Sequence, residues 1–115
     1  MAADEESIGA FRFSARWLRD HGFNPAMLSA IEVKGDSMEP TLRDGDEILV
    51  DRTPGPLRDG IHVVRLDETI LVKRLDTSRA GRIALISDNR SYPPVEVDAR
   101  DAKVVGRVVW KSGRL

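Results

Sequence analysis

The sequence has no cysteine and only two histidines, His21 and His62. The first absence removes thiol nucleophiles, thiolate-held zinc and disulfides, and fits a reducing, cytoplasmic setting. The second leaves any metal site to carboxylates. Neither histidine lies near the serine motif described below, and neither is assigned any chemistry. No run approaches the roughly 18 apolar residues that a membrane span needs, and the acidic start MAADEES lacks the basic-then-apolar layout of a signal peptide. An excess of positive charge is missing too. Lys and Arg total 18 against 19 Asp and Glu, giving a net charge of −1, so no overall basic field equips the chain to grip phosphate backbones by itself. What is present, 115 residues at 41% hydrophobic, suffices for one unstapled core.

Along the chain, residues 1–12 are small, polar or acidic and read as a flexible tail or linker remnant, leaving 13–115 as the domain. Ser14 can cap a short helix through His21, with Gly22 as its left-handed stop, and Asn24-Pro25 can open a second helical turn through Leu28. From Ala30 onward the pattern changes to short β-branched runs separated by Gly, Pro and Asp: IEVKG, EILVD, IHVVRL, TILVKRL, RIALIS, VEV and VVGRVVW. This spacing predicts a mainly β fold of coiled sheets with a small barrel-like core. Asp67-Glu68 and Ala80-Gly81 read as hairpin ends.

The chemistry concentrates in GDSMEPTLRDGD, Gly35 to Asp46. Gly35 and Gly45 permit backbone angles that other residues resist, and Pro40 restricts Glu39 before it. A stiff turn of this kind can present the Ser37 hydroxyl and aim neighbouring N–H groups, those of Ser37 or Met38, at an oxyanion. Asp36 and Met38 flank the serine and are candidates for the substrate pocket, with a core role equally open to Met38. Lys73 follows in TILVKRL, where alternation puts it on one strand face with Leu71 and Leu75. Burial there disfavours the ammonium and leaves an amine able to accept a serine proton, which arginine could not do. The chain has 14 arginines and only four lysines, which makes a lysine here more pointed. Taken singly, Ser37 could be an ordinary turn serine and Lys73 an edge-strand lysine; together they suggest a catalytic Ser-Lys dyad. Asp36, Asp44, Asp46 and Asp51 depart from the Ca²⁺-loop spacing and read as turn formers, so no metal or cofactor is expected. Asp88-Asn89 could shape the catalytic cleft but reads first as a turn, and Trp17 and Trp110 could anchor an interface but read first as packing residues.

Gly35-Asp36-Ser37-Met38-Glu39-Pro40-Thr41-Leu42, Asp44-Gly45-Asp46 and Val72-Lys73-Arg74-Leu75 resemble the C-terminal domain of LexA and phage cI-type repressors, with UmuD as a relative. The likeness runs from about Phe13 to the end and includes SDNRSYPPVEV and VVGRVVW. It implies that Ser37 is the nucleophile and Lys73 the general base of a self-cleaving peptidase domain. It further implies a homodimer, cleavage stimulated by a RecA–single-stranded DNA filament as in the SOS response, and operator DNA bound through a separate N-terminal helix-turn-helix module.

The sequence departs from that pattern in two ways. No DNA-binding helical segment precedes the peptidase motif, so the chain reads as a fragment or short form. Upstream of Ser37 the family's Ala-Gly bond is missing: Gly9-Ala10 has the reverse order, and Ala80-Gly81 follows Lys73. Two other readings therefore stay open, a signal-peptidase-like endopeptidase acting in trans and a non-cleaving dimerisation module.

Overall fold

The computed structural model describes residues 5–115. Strands β1 (Glu5–Ile8) and β2 (Phe11–Ser14) form an antiparallel hairpin, with Gly9 at φ +60° in its turn. Helix α1 (Ala15–Asp20) begins where Ser14 Oγ accepts a hydrogen bond from Trp17 N at 3.2 Å, and Gly22, at φ +75°, turns the chain away after it. Asn24 then caps a 3-10 turn over Pro25–Met27.

The remaining strands are β3 (Leu28–Glu32), β4 (Glu47–Asp51), β5 (Ile61–Leu66), β6 (Thr69–Asp76), β7 (Arg82–Ile86), β8 (Val95–Asp98) and β9 (Ala102–Ser112). They build one antiparallel sheet in the order β3-β4-β9-β5-β6-β7-β8. The long β9 is the spine, pairing with β4 along one side and β5 along the other, with a register shift on each side. Asp67, at φ +55°, sits in the two-residue turn between β5 and β6, a conformation that aspartate tolerates.

Both faces of this sheet are covered. Ile48, Leu49, Val50, Val63 and Val64 are 0% exposed, and alternation divides them between opposite sides. Ile48, Val50 and Val63 pack under Val33, Met38 and Leu42. Leu49 faces the other way, against Ile8, Phe13, Leu18 and Leu28, while Val64 joins Ile83 and Leu85 in a third cluster.

The mainly β class and the short N-terminal helix are as the sequence implies. The sheet does not close into a barrel, because β3 and β8 remain as its two edges. The N-terminal tail needs correcting: residues 5–12 enter the β1-β2 hairpin, and the expected boundary at residue 13 falls inside β2. Ile8 and Phe13 are the physical reason. At 5% and 9% exposure they complete the cluster around Leu18 and Leu49, which outweighs the exposed charges of Glu5 and Glu6. Residues 1–4, also assigned to the tail, lie outside the described residues.

Candidate active site

Ser37 lies in the loop between β3 and β4, and that loop is tied shut. Val33 N donates to Asp46 O and Gly45 N to Val33 O, each at 2.8 Å, while Gly35 N donates to Asp44 Oδ1 at 2.6 Å and Arg43 N to Asp46 Oδ2 at 2.9 Å. Gly35 and Gly45 take φ +82° and +88°, the left-handed region where a side chain would strain the turn. Asp44 and Asp46 thus act as the turn formers their spacing suggests. Within the loop, Glu39 N donates to Asp36 O and Leu42 N to Met38 O. The N–H groups of Ser37 and Met38 donate no hydrogen bond among the described residues. Met38 is 1% exposed and anchors the turn in the hydrophobic core, leaving Ser37 half-buried beside it.

Lys73 is half-buried on β6, opposite His62 of β5. Loss of hydration holds its amine below the ordinary lysine range. Its Nζ donates to Ser87 Oγ at 2.7 Å and lies 5.8 Å from the centre of the Tyr92 ring. No hydrogen bond joins Lys73 to Ser37 among the described residues. The ladder between β6 and β7 covers only Arg74 to Asp76, so β7 ends beside Arg74 and releases the chain at Ser87, next to the lysine.

The segment that leaves there runs to the serine turn. Asn89 N donates to Ser37 O at 2.9 Å, Asn89 Nδ2 to Asp36 O at 3.1 Å, and the Tyr92 hydroxyl to Asp36 Oδ1 at 2.5 Å. Asp88 N reaches Met38 Sδ at 3.4 Å, and its carboxylate accepts from Thr41 Oγ1 at 2.5 Å and from Arg74 Nε at 2.6 Å. The Arg74 hydrogen bond holds the Asp88 carboxyl below the usual carboxylate range, outweighing burial, with Thr41 helping. The Asp36 carboxylate, in turn, raises the Tyr92 phenol above its ordinary value. Residues 87–92 therefore form a strap with the lysine at one end and the serine turn at the other.

Directly opposed residues in an antiparallel ladder share a face, so Asp51, Arg107, His62 and Lys73 make one polar row across the sheet. His62 is 3% exposed, and its Nδ1–H donates to Gly60 O at 3.0 Å. Burial holds its imidazole below the usual histidine range, and nearby Arg107 adds to that, against the pull of the Gly60 carbonyl. Beside this row, under the Arg52–Arg58 loop, lies an open groove of about 530 Å³ that Phe23, Leu57, His62 and Arg107 help to line.

Of the residues singled out in the sequence, Ser37 and Asp36 stand at one end of this strap and Lys73 at the other, and Met38 is a core anchor. Ala80-Gly81 belongs to the connection between β6 and β7, with Gly81 at φ +74°. Asn89, weighed in the sequence as a turn residue, binds Ser37 O and Asp36 O, and Ser87 and Tyr92 are the additional polar members. Ser87 could have been found by continuing the alternation of RIALIS, which puts it on the face of Ile83 and Leu85 and hence of Lys73.

An open β-sheet that carries a rigid serine turn strapped to a half-buried strand lysine has the architecture of a serine-peptidase-like domain. The chain belongs to the Peptidase S24-like family, whose model matches residues 1–109. It is 33% identical over 113 residues to the repressor protein CI of Enterobacteria phage phi80, covering 95% of this chain and 48% of the relative. It is 42% identical over 101 residues to the LexA repressor of Dechloromonas aromatica, covering 85% and 49%. The 26 kDa repressor protein of Escherichia phage HK022 is 46% identical over 90 residues, covering 76% and 38%. The chain thus spans about half or less of the length of these repressors. Among the described residues, no helix is long and apolar enough to cross a membrane.

Proposed function

We propose that this domain is the regulatory, self-cleaving C-terminal part of a transcriptional repressor, with Ser37 as nucleophile and Lys73 as general base. The observation that carries the reading is the half-buried Lys73, its charge disfavoured by lost hydration and its amine held by the strap that also ties down the serine turn. In the reaction, neutral Lys73 takes the Ser37 hydroxyl proton as Oγ bonds to the scissile carbonyl carbon. The free N–H groups of Ser37 and Met38 suit the resulting oxyanion. Collapse breaks the C–N bond, Lys73 returns the proton to the departing amine, and water then releases the acyl group from Ser37.

In this reading the domain also pairs with a second copy of itself in the cytoplasm. A RecA filament promotes cleavage, and operator DNA is held by another module of the repressor. The family membership and the repressor relatives support it. The second reading is a dimerisation module that does not cut; residues 1–36 contain no Ala-Gly bond.

The test joins the chain to an N-terminal linker that carries the Ala-Gly bond the family resemblance implies. Cleavage at one bond should accelerate as pH rises, because more Lys73 amine becomes neutral, and S37A and K73A should each reduce it by at least a thousandfold. Undiminished cleavage in either variant removes the dyad. A stable dimer that cuts under no condition supports the second reading, and equal turnover of added peptides supports a peptidase acting in trans.

A further inference from the structure

We propose that Ser87 is a positioning residue, which fixes the Lys73 amine and sets the pH at which it becomes neutral. The proposal rests on the dyad reading for its functional meaning, but its physical content stands on the geometry. A lysine side chain has four rotatable carbons and a compact ammonium, so a strand fixes its Cα but not its nitrogen. Lys73 has one hydrogen-bond partner among the described residues, Ser87 Oγ, at 2.7 Å. The Tyr92 ring 5.8 Å away bounds the amine on another side.

Ser87 is itself fixed. It follows the last residue of β7, whose partner is Arg74, and precedes Asp88, whose carboxylate is held by Arg74 and Thr41. The hydroxyl therefore stands at a set distance from the turn that Asn89 and Tyr92 tie to Asp36 and Ser37. A hydroxyl oxygen stabilises the ammonium more than the neutral amine, so Ser87 opposes the effect of burial. It holds the nitrogen in place at the cost of some neutral fraction, and Ser37 must compete with it for the amine.

The test uses the chain as it stands. Selective lysine labelling and nuclear magnetic resonance follow the four lysine side chains through a pH titration, with the Lys73 signal identified by its loss in K73R. A fluorophosphonate probe, with mass spectrometry at Ser37, reports nucleophile activation. In S87A the Lys73 titration should move to lower pH while Lys34, Lys103 and Lys111 stay put. Labelling of Ser37 should fall about tenfold at its plateau, the cost of a loosened base, and its pH profile should shift in the same direction. S87T, which restores a hydroxyl, should recover both. An unchanged Lys73 titration in S87A overturns the proposal, as does a shift that S87T fails to reverse. If wild-type Ser37 takes no probe at any pH, the dyad reading falls, and the titration still decides whether Ser87 governs the amine.

Discussion

Asp88 shows how a single carboxylate serves both ends of the strap. It accepts from Thr41 on the serine loop and from Arg74 next to the lysine, so its charge is used twice. Its folded pKa is depressed, chiefly by Arg74. The stabilisation is therefore fully present above the unfolded value near ~3.9 and is lost as pH falls through the folded one. Arg74 is 45% exposed, and screening by solvent limits the pair to about 1 kcal/mol. D88N should then be less stable than the wild type at pH 7 by roughly that amount. Urea unfolding at pH 7 and again near pH 3 should show the gap between the two proteins closing on acidification. A gap that widens in acid would mean that Asp88 is not charged in the folded protein.

At the scale of elements, β9 and β4 approach closely at Gly106. A Cβ on Gly106 would stand 2.4 Å from Asp51 O and 2.8 Å from Val50 Cγ1, and the first of these is backbone that cannot turn aside. G106A should cost about 1–3 kcal/mol by forcing β9 away from β4, measured by chemical denaturation; an unchanged midpoint would show that the strands have room to part. This constraint was hidden in VVGRVVW, because a sequence shows that a strand contains glycine but not which carbonyl crosses it. EILVD and IHVVRL were legible to the residue, since β-branched runs bounded by Asp, Gly and Pro leave little choice of state. Ser14, Gly22 and Asn24 were equally clear, because caps are local chemistry. The stiff turn around Ser37 and the half-buried strand position of Lys73 were legible from the flanking glycines and leucines. Ser87 was not singled out, because its role depends on β7 ending beside Arg74, a fact of register between two strands.

For the molecule as a whole, the β1-β2 hairpin decides whether the sheet has one protected face or two. Charge density suggested a tail, and local composition does favour one. The competing effect is long-range: Ile8 and Phe13 cover Leu18, Leu28 and Leu49, and Phe11 and Phe13 meet the Trp110 ring edge-on at 5.3 and 5.0 Å. No window around residues 5–12 contains that information, since Trp110 lies near the other end of the chain. Burying side chains such as Ile8 and Phe13 is worth about 1.5–3 kcal/mol each, a large part of the roughly 5–15 kcal/mol by which domains of this size are stable. Deleting residues 1–13, which spares the Ser14 cap, should therefore lower the urea midpoint sharply and expose Trp110, seen as a red shift in tryptophan emission before unfolding. A tail would make the same deletion silent. If stability and emission are both unchanged, the hairpin contributes nothing to the fold, and the face carrying Leu49 must be closed in some other way.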